Sequence, residues 1–438
     1  MNVRLIALNL LDSYELEGRY VNLLLSSHVT DGLSREERAL LTALLYTTVE
    51  HKLTYDYLIT SFIGGAVGRI KPHTMNIMRL GMCQILHMTG IPPYAAVDET
   101  VKLGRNSGER GLINAVLRAA LRARDADKLP YPKREKNLPR YLSVYYSFPR
   151  WIVRKFISLF GEEEAEELLR TLNTHSYTDI TVNLSRISRE ELIERLKERG
   201  IDAAPSPMSS LSVRLGGSVD PRRLYGFEEG YFFVQDSSCA ASVEVLGVKE
   251  GERVVDVCAC PGGKSFAAAI LTGNTGEVLS LDLHESKLPL VTGGACRLGF
   301  EHLRAEKCDA TAPRVELFGS FDRVICDVPC SGLGVLSKKP DLRYREEEGL
   351  SELPELQYKI LSASARYVRE GGAIVYSTCT LNPDENEGVV RRFLAENPDF
   401  HAVDFTVGTR TSLDGMLTLT PHRDCTDGFF ISRLEKNG

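Results

Sequence analysis

Apolar positions recur at helical spacing through residues 1–125. Ile6, Leu8, Leu10 and Leu11 open the first run, and RALLTALLYTTVEHKLTYDYLI continues it. MNIMRLGMCQILHM follows and ends ahead of Gly90 and Pro92–Pro93. AAVDETVKLGR and, after a Gly/Ser break, ERGLINAVLRAALRARDA complete the series. Short breaks between such runs predict an all-α domain over residues 1–130. A basic, proline-containing connector is assigned to 131–150. The pattern then mixes. VRKFISLFGEEEAEELLRTLN reads as helix and ITVNLS as a short strand. SREELIERLKERG reads as a helix opened by a Ser188–Glu191 capping box and stopped at Gly200, and LSVRLG as another strand. This predicts a small α+β module over 151–230. From 231 to 438, RVVDVCACPGG, EVLSLDL, FDRVICDV and GAIVYST are buried-strand runs separated by helix-length chain, the pattern of an α/β domain with a largely parallel, Rossmann-like sheet.

Composition narrows the function classes. The chain has 438 residues, 43% of them hydrophobic, which suits several packed cores rather than disorder. Lys plus Arg number 53 against 59 Asp plus Glu, a net charge of −6 that excludes affinity resting on bulk positive charge. Residues 1–140 nevertheless hold 19 basic and 14 acidic side chains, so the remainder carries −11. The N-terminus lacks the layout of a signal peptide, and no apolar stretch approaches a membrane span. A cytoplasmic protein with ten free cysteines and no membrane partner is expected. Cys258/Cys260 and Cys326/Cys330 have short spacings, but paired CxxC knuckles are missing, so no metal is expected.

The unusual residues cluster where strands end, which is where open α/β sheets bind ligands. Cys258–Lys264, as CACPGGK, turns a strand into a helix through Gly262–Gly263, letting backbone approach a ligand. It is neither the GxxxxGK[ST] phosphate loop nor GxGxxG. Asp282 ends the next strand, where a carboxylate serves either as a ribose-hydroxyl acceptor or as a cap. Asp309 follows the third strand, where it could meet an adenine amine, and Asp327 ends the fourth. Cys330 in DVPCSGLG and Cys379 in YSTCTLNP follow strands as well. Either thiol, beside Pro and small polar residues, is a candidate nucleophile or helper. A buried structural cysteine is the alternative at each position.

CACPGGK with Asp282, Asp309, Asp327-Val-Pro-Cys330 and Ser377-Thr-Cys379-Thr resembles the S-adenosylmethionine-dependent RNA 5-methylcytosine methyltransferases. That resemblance implies a cofactor site of Cys258, Ala259, Cys260, Pro261, Gly262, Gly263, Lys264, Asp282, Asp309 and Asp327. It implies Cys379 as C6 nucleophile, Cys330 as base or release partner, Asp327 on the cytosine edge, and Lys264 placing base or cofactor. The family's usual loop is CAAPGGK, so Cys260 departs from it.

LGMCQILHMTGIPPYAAVDETVKLGR with GLINAVLRAALR resembles the NusB-type RNA-binding domain. Gln235–Asp236 and the terminal DCTDGFFISRL resemble the catalytic domain's limits in B-type ribosomal RNA small subunit methyltransferases. In that group a NusB-type domain precedes the catalytic one. The resemblance covers essentially the whole chain and implies 16S rRNA as partner, cytosine 967 in the conventional numbering as target, no DNA, and no obligate protein partner. Phe429 and Phe430 are expected in the core of a terminal strand. In the middle module the family often has a Pro-Pro pair and an Arg where this chain has His175–Ser176 and Thr181. Another RNA such as tRNA is the alternative substrate, and a non-catalytic RNA-binding assembly factor the alternative class.

Overall fold

Side chains flanking the helices satisfy their first amide groups. In the computed structural model Asn2 accepts from the amides of Arg4 and Leu5, Ser34 and Glu37 form a reciprocal capping box, and Asn106 accepts from Glu109 N. Pro72 and Pro93 stand in first turns, where no amide hydrogen is needed. The structure describes all residues except 1, 19, 20, 26, 27, 66, 67, 69, 175–177 and 218. The His175–Ser176 pair lies outside the described residues. No helix among the described residues is long and apolar enough to cross a membrane.

The chain divides into two compact units. The first comprises Met1–Thr174 with Leu336–Arg345. Its principal helices are Val3–Glu17, Arg35–Glu50, Lys52–Phe62, Pro72–His87, Pro93–Val101 and Ser107–Asp125. Leu8, Leu41, Leu45, Leu58, Ile77, Leu80 and Leu117 build their shared core. Gly81 permits the close approach of two of these helices, since a Cβ there would stand 2.5 Å from a methyl of Leu117. The connector holds a helix, Leu138–Tyr146, capped by Asn137, which the prolines of this stretch hide from a periodicity reading. Helices Arg150–Phe160 and Glu162–Thr174 cluster with this unit, although sequence pattern groups them with the strands that follow. Arg343 is fully buried here, its guanidinium 4.0 Å from the Phe148 ring centre and donating to Leu172 O and to Glu50.

The second unit holds two sheets. Strands β1 (Thr178–Val182), β2 (Ala203–Pro205), β3 (Ser212–Leu215) and β4 (Phe232–Val234) form an antiparallel sheet in the order β2-β3-β1-β4. Helix Arg189–Lys197 packs Leu192 and Leu196 against Ile180, Val182 and Val213. Of its expected capping box one half forms, Glu191 N donating to Ser188 Oγ. Since β4 pairs with β1, this sheet runs past the boundary expected at 230.

The larger sheet contains β5 (Arg253–Asp256), β6 (Glu277–Asp282), β7 (Leu303–Lys307), β8 (Phe321–Asp327), β9 (Val368–Thr378) and β10 (Phe400–Ala402). A hairpin of β11 (Thr406–Val407) and β12 (Arg410–Thr411) precedes β13 (Met416–Leu419) and β14 (Phe429–Lys436). The order is β10-β14-β9-β8-β5-β6-β7, with β13 also on β14. The β5–β9 pairs are parallel and β14 is antiparallel to β9. Helices Ser237–Leu246, Gly263–Leu271 and Leu288–Leu298 contribute to the core on one face, Leu353–Ser364 and Glu387–Glu396 to that on the other. This is the expected Rossmann-like α/β architecture. Phe429 and Phe430 on β14 are both buried, one in each core.

Candidate active site

The C-terminal ends of β5, β6, β7 and β8 carry every expected cofactor residue. After Asp256 the chain stays tied to the sheet through Val257 N to Ile325 O and Ala259 N to Leu281 O, then turns through Gly262 into helix Gly263–Leu271. Gly262 has φ +113°, and a Cβ there would stand 2.6 Å from the Phe266 ring; one on Gly263 would stand 2.9 Å from Gln235 Nε2. Side chains at these two positions would press on Phe266 and Gln235, so glycine keeps the loop backbone bare. Asp282 is buried at the end of β6, Oδ2 accepting from Cys260 N at 3.1 Å and Oδ1 from His284 N at 2.9 Å. Asp309 is exposed beyond β7, and its Oδ1 accepts from the amide and hydroxyl of Thr311, which lowers its pKa. Bare backbone, a fixed carboxylate and an outer carboxylate suit a nucleoside cofactor such as S-adenosylmethionine. Burial and the Asp282 charge push the Cys260 thiol up to about 12, so this unusual loop residue stays protonated. Burial likewise raises Cys258.

Lys264 and Asp327 meet across the loop. Lys264 Nζ lies 2.8 Å from Asp327 Oδ2 and 5.1 Å from the Phe429 ring centre. Burial works against the ammonium, but Asp327, together with Cys239 and Asp256, outweighs it and raises the lysine's pKa. Asp327 Oδ1 accepts from Ser377 Oγ at 2.7 Å, which holds the carboxylate between β8 and β9.

Adjacent parallel strands β8 and β9 also bring the two candidate thiols together. Cys330 Sγ lies 3.2 Å from Cys379 Sγ. The hydrogen bond to Cys379, burial, and the charges of Glu385 and Asp327 hold Cys330 well above the ordinary thiol range. A Cys330 thiol that keeps its proton can donate it toward the Cys379 sulfur. Gly334 N donates to Cys379 O, and a Cβ on Gly334 would collide with Gly428 O at 1.8 Å, so only glycine lets these loops meet.

Two residues of this region lie outside the set expected from sequence. Asp256, fully buried at the end of β5, accepts from Ser265 Oγ, itself hydrogen-bonded to Ser280, while its Oδ1 has no hydrogen-bond partner. Burial lifts its pKa to about 7. The strand-end rule that singles out Asp282 finds it equally well. Glu385 is fully buried and accepts from Ser331 N (2.8 Å), Gln357 Nε2 (3.0 Å) and Asn382 Nδ2 (3.0 Å). Gln357 also donates to Pro329 O. In NPDENE this glutamate looks like any polar loop residue, and no sequence signal marks it. A surface cavity of about 520 Å³ lined by Arg189, Met208, Glu244, Phe405 and Arg433 contains none of the expected site residues.

Comparison with known proteins agrees with this architecture. Residues 243–435 match the family model described as 16S rRNA methyltransferase RsmB/F, 1–122 the NusB family, and 148–221 a Methyltr_RsmF/B-like, ferredoxin-like domain. The chain is 35% identical to the probable ribosomal RNA small subunit methyltransferase B of Bacillus subtilis, covering 100% of this chain and 99% of that one. It is 35% identical to the Synechocystis protein described in the same words, covering 92% of each. Among solved structures, PH0851 shares 25% identity at a TM-score of 0.80, covering 100% of this chain and 99% of that one. A methyltransferase homologue from Pyrococcus horikoshii shares 25% at 0.60, covering 67% of this chain and 97% of that one. Full-length similarity at this level, together with the three matched regions, makes the chain a member of the ribosomal RNA small subunit methyltransferase B family.

Proposed function

We propose that this rRNA methyltransferase methylates C5 of a cytosine in 16S rRNA, cytosine 967 in the conventional numbering, through a covalent bond between Cys379 and C6. The observation that carries this reading is the pair of thiols 3.2 Å apart beside the Lys264–Asp327 ion pair, next to the Gly262–Gly263 loop. A nucleophile alone does not need a partner at hydrogen-bonding distance, whereas addition followed by proton removal and elimination needs a second proton-handling group, a role the neighbouring thiol can fill. When bound, S-adenosylmethionine supplies a methyl group made electrophilic by its sulfonium. Cys258–Lys264, Asp282 and Asp309 hold the cofactor, with Asp282 facing hydroxyls and Asp309 the base.

The protein's residues then have distinct tasks. The Cys379 thiol gives its proton to solvent while Cys330 S–H donates to its sulfur and favours the thiolate, which adds to C6 and pushes electron density to C5. Asp327, fixed by Lys264 and Ser377, accepts from the cytosine amino edge. Once Cys379 is a thioether, the hydrogen-bonding partner that raised Cys330 is gone. Cys330 can then lose its proton to solvent and take the one on C5, after which the C6–S bond breaks and Cys379 leaves as thiolate. The N-terminal helices and the small sheet hold RNA by backbone and shape, while one extruded cytosine enters the catalytic site. The test is nucleotide-resolution mapping of 5-methylcytosine after incubating purified protein with labelled S-adenosylmethionine and unmodified small-subunit rRNA. A single modified cytosine at position 967 is expected. Cofactor binding without any 5-methylcytosine product would overturn the reading.

A further inference from the structure

The basic excess of the front of the chain is confined to one short stretch. Residues 1–127 hold 14 basic and 13 acidic side chains, whereas 128–150 hold six basic and one acidic. Within that stretch Tyr141 and Tyr145 stand one helical turn apart on helix Leu138–Tyr146 and so share a face. Their rings stack at 5.2 Å with 22° between planes. Tyr131 closes on Tyr145 at 5.1 Å and Tyr146 at 5.0 Å. Tyr145 is 43% exposed, unusual for a ring at the centre of an aromatic cluster. Lys128, Lys133, Lys136, Arg140 and Arg150 of the same stretch are exposed. Arg134 is held in a two-pronged pair with Glu166 while lying over the Tyr141 ring, and Arg140 lies 5.7 Å from the Tyr57 ring centre.

We propose that this tyrosine platform binds an unpaired segment of the RNA substrate, a base stacking on the exposed Tyr145 ring while the lysines and arginines of the 128–150 stretch take the flanking phosphates. The inference rests on the reading of the substrate as RNA and adds to it a named site. Packing alone accounts for Tyr131, which touches the core of its unit, but not for an exposed ring carried by a stack of others. An apolar protein partner would not call for five basic side chains. Nucleic acid needs both features, because bases present π-faces and phosphates present charge.

The experiment uses the full chain with two fluorescein-labelled probes, a twelve-nucleotide oligoadenylate and a twelve-base-pair RNA duplex, read by anisotropy. Tyr145→Leu, which keeps apolar bulk but removes the aromatic face, is expected to weaken oligoadenylate binding about tenfold and duplex binding little. Tyr145→Phe is expected to bind like the parent. Lys133→Gln with Lys136→Gln is expected to flatten the dependence of log affinity on log salt by about 0.7 per lysine. Emission from Trp151, the chain's single tryptophan, together with thermal melting, verifies that each variant is folded. The proposal fails if the parent does not bind oligoadenylate, if Tyr145→Leu binds it like the parent, if the duplex is lost equally, or if Tyr145→Phe loses as much as Tyr145→Leu. The probes contain no cytosine and the assay involves no methyl transfer. Failure of the platform is therefore distinct from failure of the methylation reading, which the rRNA mapping tests.

Discussion

The sulfur of Cys330 lies 3.2 Å from that of Cys379, although 49 positions separate them in the chain. If Cys379 adds to C6 and Cys330 completes the reaction, their losses have opposite signatures. Cys379→Ala is expected to abolish methyl transfer while leaving cofactor affinity, measured by calorimetry, within about threefold of the parent, because Cys379 lies outside the cofactor loop. Cys330→Ala is expected to stop after methyl transfer and to accumulate a protein–RNA adduct that survives denaturing electrophoresis. An adduct formed by Cys379→Ala, or none formed by Cys330→Ala, would reverse or remove these roles.

Lys264 and Asp327 should respond unequally to substitution. The Lys264 side chain is 9% exposed and that of Asp327 31%. Asp327→Ala strands a buried ammonium and is expected to cost on the order of 3 kcal/mol in denaturant unfolding, along with methyl transfer. Lys264→Met leaves a carboxylate that water can reach and should cost less than half of that. Equal costs would show that the two groups are equally desolvated.

Glu385 acts as a positioning residue, since it touches both cysteine loops but neither thiol is its hydrogen-bond partner. Glu385→Ala should slow single-turnover methylation about a hundredfold with cofactor binding retained, as loose placement of reacting groups does. Glu385→Gln, which keeps an acceptor for Ser331 N, should recover a substantial part of the rate. A Gln variant no faster than Ala would point to charge rather than placement.

Asp256 provides a pH signature. Its folded-state pKa of about 7 stands above the ordinary 3.8, so between those values the folded protein holds a proton that the unfolded chain has released. Stability therefore falls as pH rises through this window and levels off above it. Asp256→Asn removes the effect while an amide oxygen remains for Ser265. The Tm of the variant relative to the parent is expected to climb between pH 4.5 and 7.5, and a constant gap would overturn the assignment.

Much of this protein is legible in one dimension because periodicity and strand-end chemistry are local. The helices of residues 1–125, strands β5, β6, β8 and β9, and the loop Cys258–Lys264 follow from apolar spacing and glycine placement. Which aspartates gather at one sheet edge follows from parallel order, since every parallel strand ends on the same side. Tertiary structure alone decided the rest. Arg343 is numbered with the catalytic half yet is buried among Phe148, Leu172 and Glu50 of the helical unit, because burial is set by packing and not by neighbours in sequence. Phe232–Val234 joins the small sheet because its edge hydrogen bonds pair with β1. Glu385 reads as a solvent-facing loop residue until Ser331, Gln357 and Asn382 converge on it from separate elements. Sequence determined which residues have the right chemistry, through short-range pattern. Only the folded chain decided which of them stand within bonding distance, because hydrogen bonds and ion pairs depend on ångströms that sequence separation does not encode.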